Sequence, residues 1–125
     1  MPKVLIVDDS SVMRKIIQKN IKAAKLVVDE FVEAADGKDA LEKIKGGIPD
    51  LILCDWNMPN MTGIEFIKTL HSTGEYSNIP IVMITTEGSD SMRKEAADAG
   101  AKGYVTKPFT PEQLSVELGK FLMVS

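Results

Sequence analysis

The chain has 125 residues, a length that fits one domain. Hydrophobic residues make up 44%, enough for an ordinary core, and their ordered patterning excludes a disordered chain. A net charge of −3 with acids and bases interspersed argues against a nucleic-acid module, and the single cysteine, Cys54, excludes an intrachain disulfide.

The first apolar run, Val4-Leu5-Ile6-Val7, predicts a strand over residues 3–8 that ends in Asp8-Asp9. Met1-Pro2-Lys3 enters this strand at once and leaves no room for a signal peptide. A helix follows, with Val12, Ile16, Ile17 and Ile21 expected on one face. The second strand is expected over 28–33. The second helix carries Leu41, Ile44 and Ile48 and stops at Gly46-Gly47. Leu51-Ile52-Leu53-Cys54 predicts a strand over 51–55 that ends in Asp55, with Cys54 a reduced, buried thiol.

Thr62-Gly63-Ile64-Glu65 reads as a capping box that opens a third helix, lined by Ile64, Ile67 and Leu70. A fourth strand over 79–85 ends in Thr85-Thr86. The fourth helix, 90–99, has a thin stripe of Met92, Ala96 and Ala99 and stops at Gly100. The fifth strand, 102–106, leads to Lys107-Pro108. Thr110-Pro111-Glu112-Gln113 caps the fifth helix, whose apolar positions are Leu114, Leu118, Phe121 and Leu122. No run reaches the roughly 18 apolar residues of a membrane span. A β-α unit repeated five times with short links implies an α/β fold, a parallel sheet sandwiched between helices.

Ligands of open parallel sheets bind beyond the carboxyl ends of the strands. Asp8-Asp9, Asp55, Thr85 and Lys107 therefore gather at one edge. Taken singly, Asp8 or Asp9 could cap a helix, Asp55 could be a turn residue, Thr85 an idle strand end and Lys107 a solvated loop lysine. Their joint placement at four strand ends is the signal. Three carboxylates held together repel one another unless a cation neutralises them, which points to a hard-metal site for Mg²⁺. The set suits phosphoryl transfer to a carboxylate. Asp is the nucleophile, Lys supplies a point charge and Thr a hydroxyl donor.

These residues resemble a known family over essentially the whole chain. Val7-Asp8-Asp9, Asp55 with Met58-Pro59 and Gly63, Thr85, and Lys107-Pro108-Phe109 match the receiver domain of two-component response regulators. The resemblance implies a flavodoxin-like three-layer sandwich, with a five-stranded parallel sheet in the order 2-1-3-4-5 and five helices, as a single receiver domain over 1–125. It also implies that Asp55 is the phosphoacceptor and that Asp8, Asp9, Asp55 and the carbonyl of Asn57 hold Mg²⁺. Lys107 would contact the phosphoryl group, Thr85 and Tyr104 would form the switch, and the Lys107–Pro108 bond would be cis. Asp55-Trp56-Asn57-Met58-Pro59-Asn60-Met61, Gly103-Tyr104-Val105 and Lys107-Pro108-Phe109-Thr110 look like stand-alone chemotaxis receivers.

The expected function is a cytoplasmic, monomeric signalling switch rather than an enzyme on external substrates. A histidine kinase phosphorylates it, and the face of the fourth helix, fifth strand and fifth helix binds a protein target, the flagellar motor switch. A phosphatase is a possible partner; nucleic acid and membrane are not. A phosphorelay intermediate, or a receiver with another output, stays open. An aspartate-dependent phosphatase usually needs a second Asp where Asn57 stands, and a flavin carrier would not place Asp8-Asp9 against a phosphate. Asn57 and Glu87 are expected to tune self-hydrolysis, Trp56 to be partly buried, and His71 to be an exposed helix-end residue.

Overall fold

The computed structural model describes residues 2–124. Its elements are β1 (Lys3–Val7), α1 (Ser11–Ala23), β2 (Glu30–Ala34), α2 (Gly37–Lys45), β3 (Leu51–Cys54), α3 (Gly63–Ser72), β4 (Ile81–Thr85), α4 (Asp90–Ala99), β5 (Gly103–Thr106) and α5 (Pro111–Leu118), with one 3₁₀ turn at Gly74–Tyr76. The strands form one parallel sheet in the order β2-β1-β3-β4-β5. This is the expected doubly wound α/β architecture.

The period of two along each strand sorts the core into two layers. Leu5, Val7, Ile52, Cys54, Ile81 and Met83 face α2, α3 and α4 through Ile44, Phe66, Ile67, Leu70 and Ala96. Val4, Ile6, Leu51, Leu53, Val82 and Ile84 face α1 and α5 through Ile17, Ile21, Leu114 and Leu118. Consecutive apolar residues were needed because both faces are covered.

The expected helix starts are present. Thr62 and Thr110 each make both halves of a capping box, with Glu65 and Gln113. Ser10, rather than Asp8 or Asp9, caps α1 by accepting from the Met13 N–H at 3.1 Å. Gly100 closes α4 at φ 121°, a conformation glycine adopts without a Cβ clash.

Several boundaries differ from the sequence reading. The second strand starts at Glu30, not Val28, because Asp29 and Glu30 both donate to the Pro2 carbonyl and set the register Lys3↔Glu30. The residues before it are drawn instead to the C-terminal segment, with Leu26 bridging Val124 and the Val27 N–H donating to Met123. The first, third, fourth and fifth strands are one or two residues shorter than expected. In α1 only Ile17 and Ile21 of the expected face are buried, with Met13 packed beside them. Val12 and Ile16 lie on the adjacent row, about 100° around the helix, and are exposed. Ile48 lies beyond the end of α2 at Lys45 and is exposed, so the helix does not carry it as expected.

Candidate functional site

Register brings the carboxylates together. Val7 pairs with Cys54, so the next residue on each strand, Asp8 and Asp55, emerges side by side. The Asp55 N–H donates to the Val7 carbonyl at 2.9 Å, and the Asp8 N–H donates to Ala34 at 3.0 Å. Thr85 pairs with Thr106, and the Lys107 N–H donates to the Thr85 carbonyl at 2.8 Å, which carries the lysine onto the same edge. One carboxylate oxygen from each of Asp8, Asp9 and Asp55 lies within 4.8 Å of the others.

Asp8 is buried, and both its oxygens are engaged. Oδ1 accepts from the Ser10 N–H at 2.9 Å and Oδ2 from Lys107 Nζ at 2.7 Å. Lys107 Nζ also reaches Asp55 Oδ2 at 3.4 Å, while Asp55 Oδ1 accepts from the Trp56 N–H at 2.7 Å. Asp55 Oδ2 is therefore the less committed oxygen. Burial pushes the Asp55 carboxyl above its ordinary value; Lys107 opposes this, and the neighbouring Asp8 adds to it. Asp9 is exposed at the rim.

The start of α3 lies against Asp55. A Cβ on Gly63 would stand 2.2 Å from the Asp55 carbonyl oxygen, so only glycine fits there. The Lys107–Pro108 bond is cis, as the resemblance implied. Cys54 is fully buried with its thiol pushed up by desolvation, so it remains a thiol within the core. Trp56 is 8% exposed, more deeply buried than expected, because it belongs to the core layer under α3.

The donor set answers the question of a metal. Oxygen ligands alone converge, with no imidazole or thiolate among them, and three carboxylates against one ammonium leave the pocket anionic. Such a set fits a hard dication of the Mg²⁺ class.

The remaining expected residues converge on Glu87. Thr85 is fully buried, and its Oγ1 accepts from the Glu87 N–H at 3.3 Å. Asn57 is exposed, and its Nδ2 donates to Glu87 Oε1 at 2.8 Å. The Tyr104 hydroxyl donates to the Glu87 carbonyl. The Tyr104 ring is half-buried and packs against the core beneath α4. That bond and the Arg93 guanidinium, 4.8 Å from the ring centroid, explain the position. Beside Tyr104 lies a groove of about 370 Å³ between α4, β5 and α5, lined by Arg93, Thr106, Glu112 and Val116 among others.

A sequence profile described as the response regulator receiver domain matches residues 4–118. The chain belongs to this family. It is 41% identical over 117 residues to the chemotaxis protein CheY1 of Helicobacter pylori, covering 93% of each chain. It is 42% identical over 118 residues to CheY-3 of Vibrio cholerae, covering 94% of this chain and 89% of the relative. The solved structure of Vibrio cholerae CheY4 superposes with a TM-score of 0.85 at 41% identity, covering 98% of this chain and 99% of that one. The protein is thus a receiver closely related to CheY chemotaxis regulators.

This receiver also holds contacts that the sequence does not announce. Arg14 Nη1 donates to the Asp8 carbonyl at 2.5 Å, and Arg14 Nε to Glu33 Oε1 at 2.9 Å. Asp36 caps α2 and accepts from Asn60 Nδ2 at 2.8 Å, which ties the loop after Asp55 to α2. None of these pairs has a local signal, since each joins separate elements. His71 is exposed, as expected, and lies close against Gly100.

Proposed function

We propose that the protein is a phosphorylatable switch of a two-component chemotaxis system. It accepts phosphate on Asp55 from a histidine kinase and passes the signal to a protein target, the flagellar motor switch. The observation that carries this reading is the convergence of Asp8, Asp9 and Asp55 with Lys107 reaching between two of them. The phosphoryl group would move from an imidazole nitrogen of the donor to Asp55 Oδ2. The P–N bond breaks as a P–O bond forms, and the departing imidazole nitrogen takes one proton from solvent and leaves as neutral imidazole. Asp8, Asp9, Asp55 and the carbonyl of Asn57 would hold Mg²⁺, which supplies charge neutralisation for the phosphoryl oxygens.

Lys107 Nζ would shift from the carboxylates to a phosphoryl oxygen, and Thr85 Oγ1 would donate to another. Asn57 and Glu87, bonded to each other at the rim, would govern the approach of the hydrolytic water. The protein acts only on its own aspartyl phosphate, as a monomeric single domain in the cytoplasm. No helix among the described residues is long and apolar enough to cross a membrane.

The output surface would be the groove beside Tyr104. The phosphate acts there only through its different interactions with the two positions of Thr85 and Tyr104. Trp56 fluorescence titrated with Mg²⁺ and then beryllofluoride, a phosphoryl stand-in, tests the site. The expected response to both is lost in Asp55→Asn; a wild-type protein indifferent to both would overturn the reading. A pull-down with and without beryllofluoride, probed for motor-switch protein, tests the partner. Beryllofluoride-dependent capture is expected; capture of a histidine phosphotransfer protein alone would favour a relay role.

A further inference from the structure

We propose that Arg14 is a positioning residue for the cation pocket, acting through the peptide that joins Asp8 to Asp9. The proposal rests on the Mg²⁺ reading of that pocket.

Asp8 is held at four points. Its N–H donates to Ala34, its Oδ1 accepts from Ser10, its Oδ2 accepts from Lys107, and its carbonyl accepts from Arg14 Nη1 at 2.5 Å. The last of these bonds matters for the neighbouring residue. The Asp8 carbonyl is half of a planar peptide whose other half carries the Cα of Asp9. Fixing the carbonyl therefore fixes where the Asp9 Cα sits, the point from which its exposed carboxylate reaches the pocket.

Arg14 is itself fixed. Its Nε donates to Glu33 Oε1 at 2.9 Å, and its side chain is only 15% exposed. Glu33 is further engaged by Lys15 at 2.7 Å, and that bond, with help from Arg14, holds its carboxyl down at about 2. Only a planar guanidinium offers donors for a backbone carbonyl and a carboxylate in one rigid fork. The chain of contacts thus runs from β2, through α1, to the loop that carries two of the three acids.

A positive charge near the pocket would by itself repel a dication. Position and charge therefore predict opposite signs for the loss of Arg14, and this separates them. The experiment titrates Mg²⁺ against Trp56 fluorescence in the wild type, Arg14→Gln and Arg14→Lys, with circular dichroism to establish folding. If Arg14 positions the pocket, Arg14→Gln binds Mg²⁺ about tenfold more weakly, the low end of what the loss of a ligand-orienting group costs. Arg14→Lys, which keeps the repelling charge but loses the fork, binds at least as weakly as Arg14→Gln. Unchanged or tighter Mg²⁺ binding by Arg14→Gln overturns the proposal. Should Arg14→Gln not fold, Arg14→Lys decides: weaker binding supports the proposal, and wild-type binding overturns it. A wild-type protein with no Mg²⁺ response would overturn the metal site itself and this assignment with it. A responsive wild type matched by both variants would overturn the assignment alone.

Discussion

Tyr104 donates its hydroxyl hydrogen to the carbonyl of Glu87, the same residue whose N–H donates to Thr85 Oγ1 at 3.3 Å. The two expected switch residues are thus joined by one intervening residue. If Thr85 turns toward the phosphoryl group, it releases the Glu87 N–H, while the Glu87 carbonyl keeps its hold on the Tyr104 hydroxyl. Tyr104→Phe removes the anchor and keeps the ring. A hydrogen bond of this kind contributes about 0.5–1.5 kcal/mol, so target binding in beryllofluoride should weaken by about two- to tenfold. Isothermal titration against the captured target measures it.

Arg93 stacks on the same ring from the exposed side of α4. A cation–π contact at such a site is worth about 0.5–1 kcal/mol. Arg93→Ala should therefore move the population of Tyr104 toward solvent by a few-fold. Ring resonances of Tyr104 in solution NMR report that shift, and an unchanged spectrum would show that the ring is held by Glu87 alone.

Asn57 and Glu87 meet at 2.8 Å at the mouth of the pocket. Each alanine substitution should change the lifetime of the aspartyl phosphate. Because the two form one contact, the double variant should change it by less than the product of the singles. Phosphate release after a pulse of phosphodonor measures all three. Unchanged lifetimes would retire the idea of a gating pair.

Acid should act on Glu33 and Asp55 with opposite signs. The Glu33 carboxyl is depressed to about 2 in the fold, so its contribution is complete above its ordinary value of 4.5 and is lost as pH falls toward 2. Screening at this partly exposed pair leaves it on the order of 1 kcal/mol. Urea unfolding from pH 6 down to about 2 should show this loss, and Glu33→Gln should flatten the curve. Asp55 is raised by burial, so its charged form costs stability above its ordinary range. Asp55→Asn should raise the melting temperature of the metal-free protein by a few degrees, about the effect of 1 kcal/mol in a domain of this size.

What the sequence made legible was local or repeated. Val4 to Val7 and Leu51 to Cys54 are apolar on both faces, which specifies a covered parallel sheet. Thr62 and Thr110 write their helix starts in four residues each. Strand-end acids fall together because the sheet is parallel and its register joins Val7 to Cys54. What stayed hidden lies between elements. Arg14 reads as one cation among 15, and only the fold shows it bonded to the Asp8 carbonyl. Val12 and Ile16 keep helical spacing with one another, yet α1 buries the neighbouring row of Ile17 and Ile21. Glu30 begins its strand where Pro2 accepts two N–H groups, a contact no local pattern announces.

The central claim is that Asp55 accepts a phosphoryl group in a pocket that needs a divalent cation. Intact-mass measurement after incubation with acetyl phosphate, with and without Mg²⁺, tests it most directly. The account predicts the mass gain of one phosphoryl group in the presence of Mg²⁺ and none in Asp55→Asn. No gain under either condition, or a gain that persists in Asp55→Asn, would contradict it.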